Sequence, residues 1–258
     1  MLLSLVKTAT DERGDRRLER EAQWLRELSD VESLEGQVPR LLEEGWRDGH
    51  RFLVVSLAQA RLQETRAFTT DHARFLASLG KARFRVADFE LSAGCRWLQG
   101  SIKALQDRSL DEKCVQALQH AYHDCEAALL YWTGPYVLAQ GDFAPWNIRT
   151  FGSQLFVFDW GQARAEASPL DDVLHYLMVQ RALRHKPIGV RFLRAAMRRA
   201  HEFARQAYPE WTWRPHVIGA LTLVYLLGAV VHHARESGSC ESSAYWRLLE
   251  GRTAWMPD

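Results

Sequence analysis

Residues 137–161 read VLAQGDFAPWNIRTFGSQLFVFDWG, and the fold is decided by how this stretch is parsed. Val137, Leu138 and Ala139 form a short apolar run that reads as a buried strand. Gly141 lets the chain turn, which places Asp142 on a loop just past the strand. Pro145 and Trp146 stiffen that loop, because proline fixes its own φ and restricts Ala144 before it. Gly152 and Ser153 read as the turn of a hairpin between Ile148–Phe151 and Leu155–Phe158. The second strand ends at Asp159. Asn147 and Asp159 are thereby expected at one end of a two-stranded ribbon, where both face one ion. Oxygen ligands of this hard kind suit magnesium rather than zinc.

A carboxylate, an amide and a second carboxylate in this order are what phosphoryl transfer of the protein-kinase kind uses. The first carboxylate orients and deprotonates an acceptor hydroxyl, and the other two groups hold the metal that bridges the nucleotide phosphates. The stretch resembles the aminoglycoside phosphotransferase and choline kinase family, a branch of the protein-kinase-like fold. The matching residues are Gln140-Gly141-Asp142-Phe143-Ala144-Pro145-Trp146-Asn147, a hairpin, then Asp159-Trp160-Gly161. Two positions depart from the family pattern. Gln140 stands where the family has histidine, and it still offers a side-chain donor. Gly161 stands where the family has glutamate, which makes the second motif look like the Asp-Phe-Gly of protein kinases.

The resemblance implies an α+β, two-lobe fold. A small, β-containing and truncated N-lobe is expected over 1–57, and a mostly helical C-lobe over 58–258. It implies Asp142 as the base, and Asn147 and Asp159 as magnesium ligands. It implies Lys7, after a strand over Leu2–Val6, as the phosphate-contacting lysine, steadied by Glu21 on a helix over Arg17–Leu28. The adenine of ATP, or the base of GTP, is expected against hinge backbone at Ser56, Leu57 and Ala58. The expected activity is transfer of a γ-phosphoryl group to a hydroxyl of a small molecule. Two features point to an alternative, a catalytically impaired, pseudokinase-like binding protein. Only six residues precede Lys7, and no GxGxxG or GxxxxGK[ST] motif occurs. A late start, a truncated paralogue and binding without catalysis each account for this.

Composition narrows the setting. The apolar fraction of 47% is that of a globular protein, and the formal net charge of +1 gives no global pull toward nucleic acid or a membrane surface. Cys95, Cys114, Cys125 and Cys240 show no CxxC spacing, so buried thiols and a reducing, cytoplasmic compartment are expected. No signal peptide is visible, and the apolar run Val217–Val231 is too short for a membrane span and reads as a core helix.

The remaining elements follow from period and caps. Val38–Trp46 and Arg51–Leu57 read as a hairpin around Asp48-Gly49. Thr70 reads as the cap of a helix over Asp71–Leu79 ending at Gly80, and Phe84–Gln106 as short helices. Ser109, with Glu112 three residues on, reads as the capping box of a long helix over Leu110–Trp132. On that helix His120, His123 and Asp124 read as surface groups rather than metal ligands. Asp172 opens a helix to Leu183 as a cap, and helices over 188–207, 214–235 and 241–250 complete the chain. From Arg181 to Arg205 eight Lys and Arg stand against one acid, Glu202. A pocket with that lining would repel polycationic aminoglycosides and favour a neutral or anionic hydroxyl compound such as a sugar or glycolipid; an amino alcohol is the further acceptor expected. A solvated helix face accounts for the same residues equally well.

Overall fold

The computed structural model describes residues 4–57, 65–108 and 110–257, and the backbone alone of Phe151. The chain divides into two compact units, residues 1–83 with 138–165 and residues 84–137 with 166–258.

The first unit is built on a three-stranded antiparallel sheet of β1 (Ser4–Thr8), β2 (Leu41–Arg47) and β3 (His50–Ser56), in the order β1-β3-β2. β3 is central, and its Phe52, Leu53 and Val55 are buried. Asp48 and Gly49 both have positive φ, 54° and 81°, as the two-residue turn between β2 and β3 requires. Helix α1 (Glu12–Ser29) is capped by Asp11, whose side chain accepts from the Gly14 N–H, and it lays Leu18, Ala22, Leu25 and Leu28 into the core. α1 begins earlier than its apolar period suggested, because its first turn is charged and solvated. Lys7 lies within β1, opposite Leu53, rather than past its end, and Leu2 lies outside the described residues.

Helix α2 (Thr70–Ala82) starts one residue before its expected first position, with Thr69 as cap, and runs through Gly80 because Leu79 and Gly80 are buried. The hairpin of β6 (Ile148–Phe151) and β7 (Gln154–Val157) has the expected turn, with Gly152 at φ 58°, and its second strand begins and ends one residue earlier than expected because Phe151 pairs with Gln154. α2 packs on β7, and the Val157 N–H donates to the Gln37 carbonyl. That bond and the α2 contact tie the hairpin after Asp142 into the first unit.

The second unit is mainly helical. It contains β4 (Phe84–Asp88), which pairs antiparallel with β5 (Thr133–Ala139) in a sheet ordered β4-β5-β8, where β8 is Arg164–Ala167. The chain passes between the units along β5 and β8. Instead of short helices, Phe84–Gln106 folds as β4 and one long helix, α3 (Ala93–Asp107), capped by Ser92. Its buried Cys95, Leu98, Ile102 and Leu105 supply the burial that outweighs Gly94 and Gly100 in its sequence. α4 (Glu112–Leu129) is capped by Asp111, and Ser109 lies outside the described residues. It is followed by α5 (Asp171–Ala182), α6 (Val190–Ala207), α7 (Pro215–Ser237) and the short α8 (Trp246–Glu250).

α7 packs against α3, α4, α5, α6 and α8 and is the core of this unit. Among the described residues it is the one helix long and apolar enough to cross a membrane, yet 67% of its most apolar stretch is buried inside the protein. All four cysteines are free and buried.

Candidate active site

The candidate residues of the first unit converge around Asp159. Lys7 and Glu21 meet as β1 and α1 pack together, with the ammonium 2.7 and 2.8 Å from the two carboxylate oxygens. Glu21 is 1% exposed, and its Oε1 also accepts from the Trp160 N–H at 3.4 Å. A buried carboxylate without such partners would be strongly destabilising, so Lys7 and Glu21 require one another.

Asp159 follows β7 with φ 65° and ψ 68°, a left-handed conformation that aspartate tolerates better than most side chains. Trp160 is fully buried behind it and donates its indole N–H to the Val157 carbonyl at 3.0 Å, which anchors the turn. The Phe158 N–H donates to the Asn147 carbonyl at 3.0 Å, so Asn147 is held beside the residue that precedes Asp159 at the open end of the hairpin.

Asp142 sits in the loop after β5. Asn147 donates through Nδ2 to the Asp142 carboxylate at 2.9 Å and to its carbonyl at 3.0 Å. That fixes the loop from within and leaves the amide Oδ1 as the acceptor end of Asn147. Phe143 beneath it is fully buried, stacked on Phe75 of α2 at 5.9 Å and edge-on to His72 at 6.0 Å. Gly141 has φ 84°, and a Cβ there would lie 2.2 Å from the Gln162 carbonyl oxygen, so glycine is required on both counts.

Gln140 shows why its amide serves in place of an imidazole. It is fully buried. Its Nε2 donates to the carbonyls of Phe158 at 3.2 Å and Asp159 at 2.7 Å, and its Oε1 accepts from the Asp142 N–H at 2.8 Å. One side chain thus clamps the loop carrying Asp142 to the turn carrying Asp159.

One residue that sequence reasoning passed over belongs here. Arg17 of α1 reaches the Asp159 carboxylate, Nη2 to Oδ2 2.7 Å, while Lys7 is 3.6 Å from Oδ1. Gly161 makes the space, since a Cβ on it would stand 2.4 Å from Arg17 Cγ. The available signals were the four-residue spacing of Arg17 and Glu21 on one helix and the glycine in place of glutamate.

Of the hinge residues, Ser56 donates its N–H to the Arg40 carbonyl at 2.9 Å and accepts the Arg40 N–H on its hydroxyl at 2.8 Å. Leu57 is 37% exposed, and Ala58 lies outside the described residues.

Other expected roles resolve in the second unit. His123 pairs with Glu126, and Asp124 with Arg252. No group of three or more His, Cys, Asp or Glu placed to hold a metal occurs among the described residues. Asp171 and Asp172 are buried at the start of α5. Burial, with the Asp172 charge adding to it, pushes the Tyr208 phenol above its ordinary range. The arginines of α6 are largely solvated. Arg199 pairs with Glu202 and Arg194 donates to the Ala254 carbonyl, while Arg181 of α5 lies over the Phe192 ring of α6.

This arrangement has the α+β protein-kinase-like fold. Within that fold, the solved structures that resemble it include aminoglycoside phosphotransferases. A thermostable mutant of aminoglycoside phosphotransferase APH(4)-Ia in its apo form superposes with TM-score 0.64 at 13% identity, over 97% of this chain and 87% of that one. A mutant aminoglycoside 2'-phosphotransferase-IIIa in complex with GDP gives 0.58 at 18% identity, over 97% and 85%. The gentamicin complex of APH(2")-IIa gives 0.56 at 15% identity, over 98% and 84%. No protein-family model matches the sequence, and no curated protein matches it.

Proposed function

We propose that this protein is an ATP- or GTP-dependent phosphotransferase that phosphorylates a hydroxyl of a small molecule. The observation that carries the reading is the joined set Asp142, Asn147, Asp159 and Lys7–Glu21, held together by Gln140. The fold likeness supports it, since the similar structures include an APH(4)-Ia complex with AMP-PNP and hygromycin B and the GDP complex already described.

Asn147 Oδ1 and the Asp159 carboxylate would hold magnesium. Their hard oxygens fit that ion, and two protein ligands suffice where phosphates and water complete the shell. Magnesium when bound supplies positive charge that neutralises the nucleotide phosphates. Lys7, oriented by Glu21, adds a fixed positive charge to the same phosphates. Asp142 accepts the proton of the acceptor hydroxyl, and Asn147 aims its carboxylate. The protein's contribution is position and charge set in place before the reaction. A reducing, cytoplasmic setting is part of the proposal and draws on the four free, buried thiols. A sugar or glycolipid acceptor is proposed over an aminoglycoside, on the basic 181–205 segment alone.

A second reading is nucleotide binding without transfer. It draws on the pairing of Asp159 with both Lys7 and Arg17. The deciding experiment titrates ATP and magnesium against the thermal stability of wild type and Asp159→Asn, then assays ADP release with sugars, amino alcohols and aminoglycosides. A ligand that binds the folded state raises its melting temperature by mass action. A magnesium-dependent rise lost in Asp159→Asn, with acceptor-dependent ADP release, is expected. A rise with no turnover on any acceptor favours the second reading, and no rise at all overturns both.

A further inference from the structure

We propose that Arg17 sets the divalent-cation affinity of Asp159 by occupying the oxygen a metal needs. The inference rests on the proposed function only in taking Asp159 as a metal ligand. The Asp159 carboxylate is held unequally. Lys7 is drawn away by both oxygens of Glu21, at 2.7 and 2.8 Å, and stands 3.6 Å from Asp159 Oδ1. Arg17 is at hydrogen-bond distance, 2.7 Å from Oδ2. A guanidinium that close donates along a lone pair of that oxygen and brings a full positive charge with it. A divalent cation on the same oxygen would meet that charge directly, so the cation and the Arg17 contact exclude one another.

The arrangement is built in rather than incidental. Arg17 and Glu21 stand four residues apart on α1, so a single helix face serves both Asp159 and Lys7. The Arg17 stem crosses Gly161, where any Cβ would collide with Cγ at 2.4 Å and approach the Arg17 carbonyl at 3.2 Å. The glutamate expected at 161 would therefore displace Arg17. The Arg17 side chain is 40% exposed, so it can swing into solvent when a metal displaces it.

The test is a manganese(II) titration of the full chain without nucleotide, with free metal read by electron paramagnetic resonance. Arg17→Gln is expected to bind manganese about three- to fivefold tighter than wild type, the scale of a half-exposed ion pair. Arg17→Lys, which keeps the charge, is expected to stay near wild type. Asp159→Asn, whose asparagine also accepts the left-handed backbone, is expected to lose the binding. Gly161→Ala moves the Arg17 stem while leaving every charge in place, and is expected to tighten binding in the same direction as Arg17→Gln. It keeps the test decisive if Arg17→Gln folds poorly. Unchanged or weaker binding in Arg17→Gln and Gly161→Ala overturns the proposal, as does tightening that survives Asp159→Asn. With no nucleotide in the sample, this result is independent of whether the protein binds ATP. A failed nucleotide titration would sink the proposed function while leaving the manganese comparison intact.

Discussion

At the scale of single residues, Asp142 and Gln140 do separable work. Asp142→Ala removes a carboxylate that positions the acceptor and takes its proton, a contribution of about 10²–10⁴ in rate for a group of this kind. Turnover in an ADP-release assay is therefore expected to fall by about a thousandfold. Nucleotide affinity, measured by thermal shift, should hold within a fewfold, because the substitution leaves the Lys7–Glu21 pair and the Asp159 carboxylate in place. Retained turnover would remove Asp142 from the mechanism. Gln140→Ala acts differently, since it removes the side-chain partner of the Phe158 and Asp159 carbonyls and of the Asp142 N–H in a part-buried setting. At about 1–3 kcal/mol for each group that loses its partner, partly relieved by water, a loss near 3 kcal/mol is expected in denaturant unfolding. Much of the site was legible in the sequence because Asp142, Asn147 and Asp159 lie on one local strand–loop–hairpin, where spacing stands in for distance. Arg17 was not, since its partner lies 142 residues away and only the packing of α1 brings them together.

At the scale of elements, turns show what period and composition can predict and where packing takes over. Both Gly141 and Gly152 have positive φ, and both were assigned to turns from sequence alone. Space separates them: a Cβ at 152 meets nothing within 4 Å, while one at 141 meets the Gln162 carbonyl oxygen at 2.2 Å. Gly152→Ala therefore bears only the left-handed penalty of about 1–2 kcal/mol. Gly141→Ala adds a backbone collision and is expected to cost at least about twice that, a difference of several degrees in melting temperature for a chain of this size. Equal losses would mean that the loop at Gly141 yields easily. Hairpins were readable because Asp48-Gly49 and Gly152-Ser153 act on their immediate neighbours, whereas the caps at Asp11, Thr69 and Asp111 were not the residues read from the sequence. α3 was not read as one helix, since Gly94 and Gly100 weaken its local preference and burial of Cys95, Leu98, Ile102 and Leu105 restores it. The bond from Val157 to Gln37 is likewise non-local and leaves no sequence pattern.

At the scale of the whole molecule, one buried histidine links stability to pH. His72 is fully buried in α2 and packs edge-on against Phe143, next to Asp142. Its Nδ1 accepts the Thr69 N–H at 3.2 Å, which leaves the ring proton on Nε2 and the ring neutral. Burial lowers its pKa from 6.5 to about 4, against the opposing pull of Asp71. The folded protein thus resists a proton that the unfolded chain binds readily below pH 6.5. Stability is fully present above that pH, falls as pH drops toward about 4, and levels off once both states are protonated. Between pH 7 and 5 the loss from this group is expected to be about 2 kcal/mol, at 1.36 kcal/mol per pH unit across the part of the window below 6.5. His72→Leu removes the titrating group and keeps the packing against Phe143, though it gives up the ring's bond to Thr69. Its stability at pH 7 should fall, while the slope of stability against pH between 7 and 5 should flatten. Urea unfolding at pH 7, 6 and 5 measures both quantities. A variant slope equal to that of wild type would assign the pH dependence to other groups and would show that His72 accepts its proton in the folded state.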